Sequence, residues 1–246
     1  MAVLLAFNAL AAALLIDRLA VSLTWPLIRD APLLHYVAWL MQHGAVPYRD
    51  VFDYQMPGSY LLHWSVLTAL GPSDWAWRVF DLGWLAATAV LVFAFCRRMT
   101  DAASAAAAAL TMALYHLGAG SFNAGERDYL MCLPLLAGAY GVARAHERGA
   151  WAAPLLWGGA ALGAAVMIKP YAAVFLLCCA LAAAGSARRQ GRPVLAAAAL
   201  VLAGRLPCAR CWRGVAYGDG RARAIPDHHH RLRSPLLRRG AGGLDV

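Results

Sequence analysis

The chain has 246 residues, of which 61% are hydrophobic and 14% charged, with a mean hydropathy of +0.54. Soluble domains are near half apolar and a quarter charged, so this composition excludes a soluble nucleotide-binding fold or a disulfide scaffold and requires an integral membrane protein. The net charge of +9 is uneven: residues 205–246 hold nine arginines and three aspartates, leaving +3 for residues 1–204, and no nucleic-acid partner is expected.

Apolar runs occupy 2–24, 79–96, 102–118, 129–143, 150–168, 171–184 and 193–204. A helix needs about 20 apolar residues to cross a bilayer, so the runs predict an all-α polytopic transmembrane bundle of six spans with a partial seventh. The first run holds adjacent Asp17 and Arg18, which are costly in lipid and are expected near its outer end or facing the bundle. It lacks a small-residue cleavage site near its end and reads as a retained span.

Between the first two spans, Asp30 and Pro32 followed by Leu33, Leu34, Val37, Ala38, Leu40 and Met41 predict a capped amphipathic helix along the membrane surface, with Asp30 as the cap and Gly44 as the stop. The prolines and charges of 46–58 forbid a continuous helix. A second surface helix is expected over 59–70, ended by Gly71-Pro72, with Ser73 or Asp74 capping the next span. Trp64, Trp75 and Trp77 suit an interfacial aromatic belt. His35, His43 and His63 read as hydrogen-bonding groups at the interface, and Arg78 with Asp81, three apart on a helix, as a structural pair.

Segments 97–101, 144–149 and 186–192 carry seven arginines in 18 residues (Arg97, Arg98, Arg144, Arg148, Arg188, Arg189 and Arg192), against five cations in 65 residues on the opposite side. The positive-inside rule puts the first set in the cytoplasm and the acid-bearing segments outside. Cys96, Cys132, Cys178 and Cys179 lie in apolar runs and read as small hydrophobes. Cys208 and Cys211 followed by His228, His229 and His230 have roughly zinc-like spacing, but consecutive histidines lack the helix-face separation a zinc site needs, and no metal is expected there.

An outer connection of this length that is too apolar to be disordered is commonly functional. It holds Asp30, Asp50, Asp53 and Asp74 with Arg29 and Arg49, a set able to supply a general base and countercharges for an anionic substrate. The string from Arg29-Asp30 through Leu34 to Trp39, Gly44, Pro47 to Asp53 and Met56 to Tyr60 resembles the first external loop of bacterial GT-C glycosyltransferases, in the branch of protein O-mannosyltransferases and aminoarabinose transferases. Glu126-Arg127-Asp128, and Gly163 to Lys169, look like later features of that family. The resemblance implies a polyprenyl-phosphate sugar as donor, a glycan, lipid or protein acceptor outside the cytoplasm, and a bacterial inner-membrane location. It places Asp30 on the family's catalytic acid/base position. Lys169 and Arg127 become candidates to stabilise the departing phosphate, with Arg29, Tyr48, Arg49, Asp50, Asp53, Glu126 and Asp128 as further substrate-binding positions. Ala31 follows Asp30 where an Asp-Glu pair is frequent, so no divalent metal is assigned.

The structural alternatives are a helix cap for Asp30, a surface ion cluster for Arg127 and a snorkelling span end for Lys169. At the level of function, the rivals are a non-catalytic transporter or assembly component and an O-antigen-type polymerase or ligase. Carboxylates gathered at one membrane face favour an enzyme over a transporter, whose ionisable groups sit near mid-bilayer. After residue 204 the alanine- and leucine-rich pattern gives way to arginine-rich sequence with no helical period. With Lys169 the single lysine of a GC-rich-looking chain, residues 205–246 read as out-of-frame translation after a truncated region 1–204, the alternative being a natural, disordered basic tail in the cytoplasm.

Overall fold

The computed structural model describes residues 1–51, 53–147, 151–206, 208 and 210. The tail beyond 210, with Cys211 and the three histidines, and Arg148 of the arginine set expected in the cytoplasm lie outside the described residues. Within them the chain is all-α: α1 (Ala2–Ser22), α2 (Asp30–Gln42), α3 (Pro57–Leu70), α4 (Asp74–Cys96), α5 (Ala102–Gly118), α6 (Arg127–Leu130), α7 (Cys132–Glu147), α8 (Ala152–Ile168), α9 (Ala173–Arg189) and α10 (Val194–Gly204). Short 3-10 turns cover Gly120–Phe122 and Pro170–Ala172. Helices Ala2–Ser22 and Asp74–Cys96 and the segment Pro170–Arg189 are long and apolar enough to cross a membrane, while Ala102–Gly118, Ala152–Ile168 and Val194–Gly204 are apolar but shorter.

The run expected as one span over 129–143 is broken between α6 and α7 at Met131. Pro134 explains the break, since it donates no N–H and its ring crowds the Leu130 carbonyl four residues back. Lys169 is extended (φ −143°, ψ 127°) because Pro170 follows it. Asp101 caps α5, its Oδ1 accepting from the Ala103 and Ser104 amides at 2.8 and 3.0 Å. Ser73 caps α4 through the Ala76 amide at 3.1 Å.

Two expectations at helix starts need correction. Helix α3 begins at Pro57, two residues before the predicted start, because proline is tolerated in a first turn where its missing N–H is not needed. Asp30 is not the cap of α2: Arg29 holds that position and Asp30 is the first helical residue, its carboxylate released for a tertiary partner. Gly44 and Gly71, both at φ 93°, stop α2 and α3.

In the bundle, α1 packs on α5, α5 on α4, α4 on α7, and α7 on α8, while α10 lies against both α8 and α9. Asn8 ties α1 to the start of α5 through the Ala103 carbonyl at 2.9 Å. Asp17 and Arg18 are mostly exposed, 3.5 Å apart near the end of α1, rather than turned into the bundle. Helices α2 and α3 pair with each other at one end, joined by Leu34, Val37 and Tyr60, and α3 reaches α8, where Ser59 Oγ donates to the Ile168 carbonyl at 3.4 Å.

The α2–α3 pair is also held by histidines. His35 and His63 are buried, with their Nδ1 atoms 3.0 Å apart, and His63 stacks on Trp77 at a centroid distance of 4.1 Å. These two histidines and Trp77 therefore belong to the interior, whereas Trp64 and Trp75 are exposed as an interfacial belt requires. An Nδ1–Nδ1 hydrogen bond needs one nitrogen to donate and the other to accept, so the pair cannot be doubly protonated. Burial lowers both pKa values, assisted at His63 by His35 and opposed at His35 by Asp74.

The connection after α5 passes directly over α2. Gly125 (φ 87°) lies where a Cβ would sit 2.8 Å from the Ala31 Cβ and 3.1 Å from the Trp77 ring. Neither the backbone angle nor the space admits a side chain. Gly125→Ala is expected to lower stability by about 1–3 kcal/mol, from backbone strain and overpacking together, read as an earlier thermal transition of the purified protein. The histidine pair gives a pH dependence of defined sign. Each folded pKa lies below the ordinary 6.5, so the unfolded chain binds protons first, and stability is complete above pH 6.5 and falls as pH drops through it. The melting temperature should decline from pH 7.5 to 5.5, and a His35→Phe, His63→Phe double variant should lose most of that decline.

Candidate functional site

Three consecutive side chains after Gly125 reach three different parts of the chain. Glu126, extended at the N-cap of α6, faces the Arg29 Nε at 3.6 Å. Arg127 donates from Nη2 to Asp30 Oδ2 at 2.7 Å. Asp128 accepts from Lys169 Nζ at 2.7 Å and from the Tyr171 hydroxyl. Successive residues at a helix start point in diverging directions, so this segment ties the entry to α2, the first residue of α2 and the end of α8 into one cluster.

The cluster carries three cations and three carboxylates. Asp30 is 41% exposed, and Arg127 is 14% exposed with its Nε buried and without a partner among the described residues. Burial works against the charged form of Asp128, but the hydrogen bonds from Lys169 and Tyr171 outweigh it and lower its pKa. Arg29 also lies over the Phe122 ring at 4.2 Å and Lys169 over Tyr171 at 5.4 Å, cation–π contacts that restrict both long side chains. Arg29 adopts φ 61° and ψ −126°, a conformation an L side chain rarely takes.

Ala31 is almost completely buried under Gly125. The close passage of the connection leaves no room for a second acidic side chain beside Asp30. Among the described residues no three His, Cys, Asp or Glu side chains gather as a metal-ligating group.

The remaining candidates, from the stretch between α2 and α3, form a separate, local construction. Asp50 makes two 2.8 Å hydrogen bonds with Arg49 and accepts from the Val46 amide at 2.7 Å, which together lower its pKa to about 2. Asp53 accepts from the Tyr60 hydroxyl at 2.7 Å. Tyr48, at φ 69°, donates its hydroxyl to the Gln55 carbonyl at 2.5 Å. Burial raises its pKa to about 12, with Asp53 adding to the effect. Tyr48, Arg49, Asp50 and Asp53 thus hold the irregular stretch in shape, and none of them contacts the Glu126–Asp128 segment through a hydrogen bond or ion pair among the described residues.

Glu126 and Asp128 stand on the wall of a cavity of about 600 Å³ between α4, α5, α7 and α9. Met112, Leu135, Leu136, Ala139 and Phe175 make much of the remaining wall apolar, and Thr88, Tyr115, Asn123 and Tyr129 also line it. Ala139 lies about 10 Å further along α7 than Cys132, at 1.5 Å per residue, so the cavity runs from the charged cluster into the apolar part of the bundle. His116 was not singled out by sequence reasoning, yet it lines this cavity and approaches Asp81 with its Nε2 at 3.0 Å. The Arg78–Asp81 pair is present as expected, buried with His116 as a third member. A lone histidine near the end of an alanine-rich helix gives no local signal of that partnership.

Residues 56–209 match the dolichyl-phosphate-mannose-protein mannosyltransferase family. The matched segment contains Glu126, Arg127, Asp128 and Lys169, while Arg29, Asp30 and Tyr48 precede it. No curated protein and no solved structure matches the chain. The match takes in more than half of the sequence, on an all-α bundle with helices able to span a membrane, and the chain therefore belongs to the dolichyl-phosphate-mannose-protein mannosyltransferase family of GT-C-type membrane glycosyltransferases.

Proposed function

We propose that the protein transfers a sugar from a polyprenyl-phosphate carrier to an acceptor hydroxyl outside the cytoplasm, with Asp30 as the general base. The observation that carries this reading is the convergence of Asp30, Arg127, Asp128 and Lys169 in one ion-paired cluster whose Asp128 also lines a largely apolar cavity. A carrier-linked sugar presents an anionic phosphate next to a long apolar chain, and the two halves of this site complement those two chemistries.

In the reaction, the acceptor oxygen forms a bond to the anomeric carbon as its proton passes to the Asp30 carboxylate, and the bond from that carbon to the phosphate oxygen breaks. Polyprenyl phosphate leaves with the bonding pair, and a single displacement inverts the anomeric centre. Asp30 has one oxygen on Arg127 and enough exposure to receive a proton. Arg127, with a spare buried N–H, and Lys169 supply positive charge for the leaving phosphate. Arg29 holds Glu126 in the same cluster, and Tyr48, Arg49, Asp50 and Asp53 keep the irregular loop after α2 in shape.

The sidedness in this proposal rests on helix direction. Helices α4, α7 and α9 end toward Arg97, Arg98, Arg144, Arg188 and Arg189, while α5 and α8 end toward the acidic cluster. Arginines at that end of the spans, by the positive-inside rule, support a reading in which the cluster faces outward, on the periplasmic side of a bacterial inner membrane.

Labelled polyprenyl-phosphate sugars incubated with membranes holding the protein should give labelled acceptor. Asp30→Asn should lower the rate by about 10²–10⁴-fold, while changing stability by no more than about 1 kcal/mol, because the partly exposed ion pair contributes little. Unchanged turnover in that variant refutes the base assignment. Tyr54 is 86% exposed in the irregular stretch. A Tyr54→Cys variant should therefore react with a membrane-impermeant maleimide from outside intact, outer-membrane-permeabilised cells, and labelling only after inner-membrane lysis contradicts the orientation.

A further inference from the structure

At the end of the bundle away from the acidic cluster, a groove of about 380 Å³ lies between α7 and α9, beside Arg98 just past the end of α4. Arg98, His146, Ser186 and Arg189 stand at its mouth, and further in the wall is made of small apolar side chains, Ala139, Cys179 and Ala182 among them. It shares Ala139 with the wall of the 600 Å³ cavity and no other residue. His146 is hydrogen-bonded to Ser186, and Gln190 donates to the His146 carbonyl at 2.8 Å, so α7 and α9 are tied together at the mouth.

The two ends of the bundle balance charge differently. In the acidic cluster and the loop after α2, Arg29, Arg49, Arg127 and Lys169 each face a carboxylate. At the groove only Arg98 does: it pairs with Glu147 and donates to the Ala143 carbonyl at 2.9 Å. Arg97, Arg144, Arg188 and Arg189, on the same three helix ends, have no ion-pair partner among the described residues. Asp101 is occupied in capping α5. Helix C-termini oppose an anion with about −0.5 charge each, so three of them fall well short of cancelling four free guanidinium groups. The depth of the groove matches a lipid. Cys179 lies ten residues before Arg189 on α9, about 15 Å along the axis, and half of a hydrocarbon core about 30 Å thick has that depth. The segment Pro170–Arg189 that carries both is long and apolar enough to cross a membrane.

We propose that this groove binds one anionic phospholipid from the leaflet at the arginine end, its phosphate accepting from Arg98 and Arg189 and one acyl chain lying along α9 past Ala182 to Cys179. A basic mouth over an apolar length between helices suits that chemistry. A zwitterionic lipid brings a second cation among the arginines, and a free phosphate leaves the apolar length unused. The bound lipid joins the ends of α4, α7 and α9 in a way the protein's own contacts do only in pairs. The site is independent of the sugar-transfer reading and of which membrane face is external.

The test places the full chain in phosphatidylcholine nanodiscs with graded amounts of a phosphatidylglycerol probe carrying a mid-chain diazirine, or of a phosphatidylcholine probe with the same chains, and maps photolabelled residues by mass spectrometry. The phosphatidylglycerol probe should label the groove segment of α9 with a half-saturation about tenfold lower than the phosphatidylcholine probe, as one hydrogen bond to a charged group supplies. Arg189 is exposed, so Arg189→Gln should fold normally and lose most of that preference. Arg188→Gln removes the same charge from a side chain that does not line the groove, and should keep it. Ala182→Trp, which blocks the acyl path, should remove groove labelling by both probes. Unlabelled phosphatidylglycerol should compete and inorganic phosphate should not. Equal half-saturation of the two probes, a preference that survives Arg189→Gln, an equal loss in Arg188→Gln, or undiminished groove labelling in Ala182→Trp overturns the site. Competition by inorganic phosphate as strong as that by phosphatidylglycerol identifies a soluble-anion site and overturns the lipid assignment.

Discussion

The arrangement of the acidic end of the bundle depends on the ionic ties made by Glu126, Arg127 and Asp128. Each tie alone is worth little, since partly exposed ion pairs contribute about 0–1 kcal/mol. Their effect is positional: one short segment fixes the approach to α2, the first turn of α2 and the end of α8 at the same time. Equal numbers of cations and carboxylates keep the cluster near neutrality, so it can sit beside apolar walls without a large desolvation penalty. A site of this composition can admit a charged group by exchanging partners rather than by creating unpaired charge.

The same economy operates deeper in the bundle. The buried stripe of α4 runs through Trp77, Asp81, Leu85 and Thr88, positions that recur on one helical face. Asp81 on this stripe would be prohibitive if it faced lipid. It is turned inward, where Arg78 and His116 share one carboxylate oxygen. His35 and His63 solve a related problem on the α2–α3 pair, where a neutral ring–ring hydrogen bond replaces a charge pair. Polar groups in this protein are placed between helices and partnered across them, which makes them determinants of how helices meet.

What the sequence discloses and what it conceals divide along the range of the forces involved. Apolar runs, the glycine stops at Gly44 and Gly71 and the caps at Ser73 and Asp101 are local, so helix positions are readable to within a few residues. Charge placement groups Asp30, Arg127 and Lys169 on one side, because helix order determines which ends coincide. The pairings are not local. Asp30 has the type and position of an N-cap, yet Arg127, 97 residues away, takes its carboxylate. Trp77 has the composition of an interfacial belt residue, yet His63 stacks on it. His116 carries no sequence pattern, and only the packing of α5 on α4 gives it Asp81. Pro134 was visible as a residue, but its consequence, the break at Met131, was masked by the apolar run around it.

Two backbone conformations connect this geometry to chemistry. Arg29 and Tyr48 are the non-glycine residues with positive φ among the described residues, at 61° and 69°. Such conformations cost of order 1–3 kcal/mol and persist only where surrounding contacts hold them. At Tyr48 the holding contacts are its hydroxyl to Gln55 and its amide to the Val51 carbonyl at 3.1 Å. At Arg29 they are Glu126 and the face of Phe122. The turn at Arg29 sends two adjacent side chains to adjacent partners, Arg29 to Glu126 and Asp30 to Arg127, so the strain there is the cost of presenting Asp30 in a fixed orientation at the first turn of α2. A relaxed entry into that helix would leave Asp30 free to cap it, and the carboxylate would then be spent on local backbone amides instead of facing the cavity-side cluster.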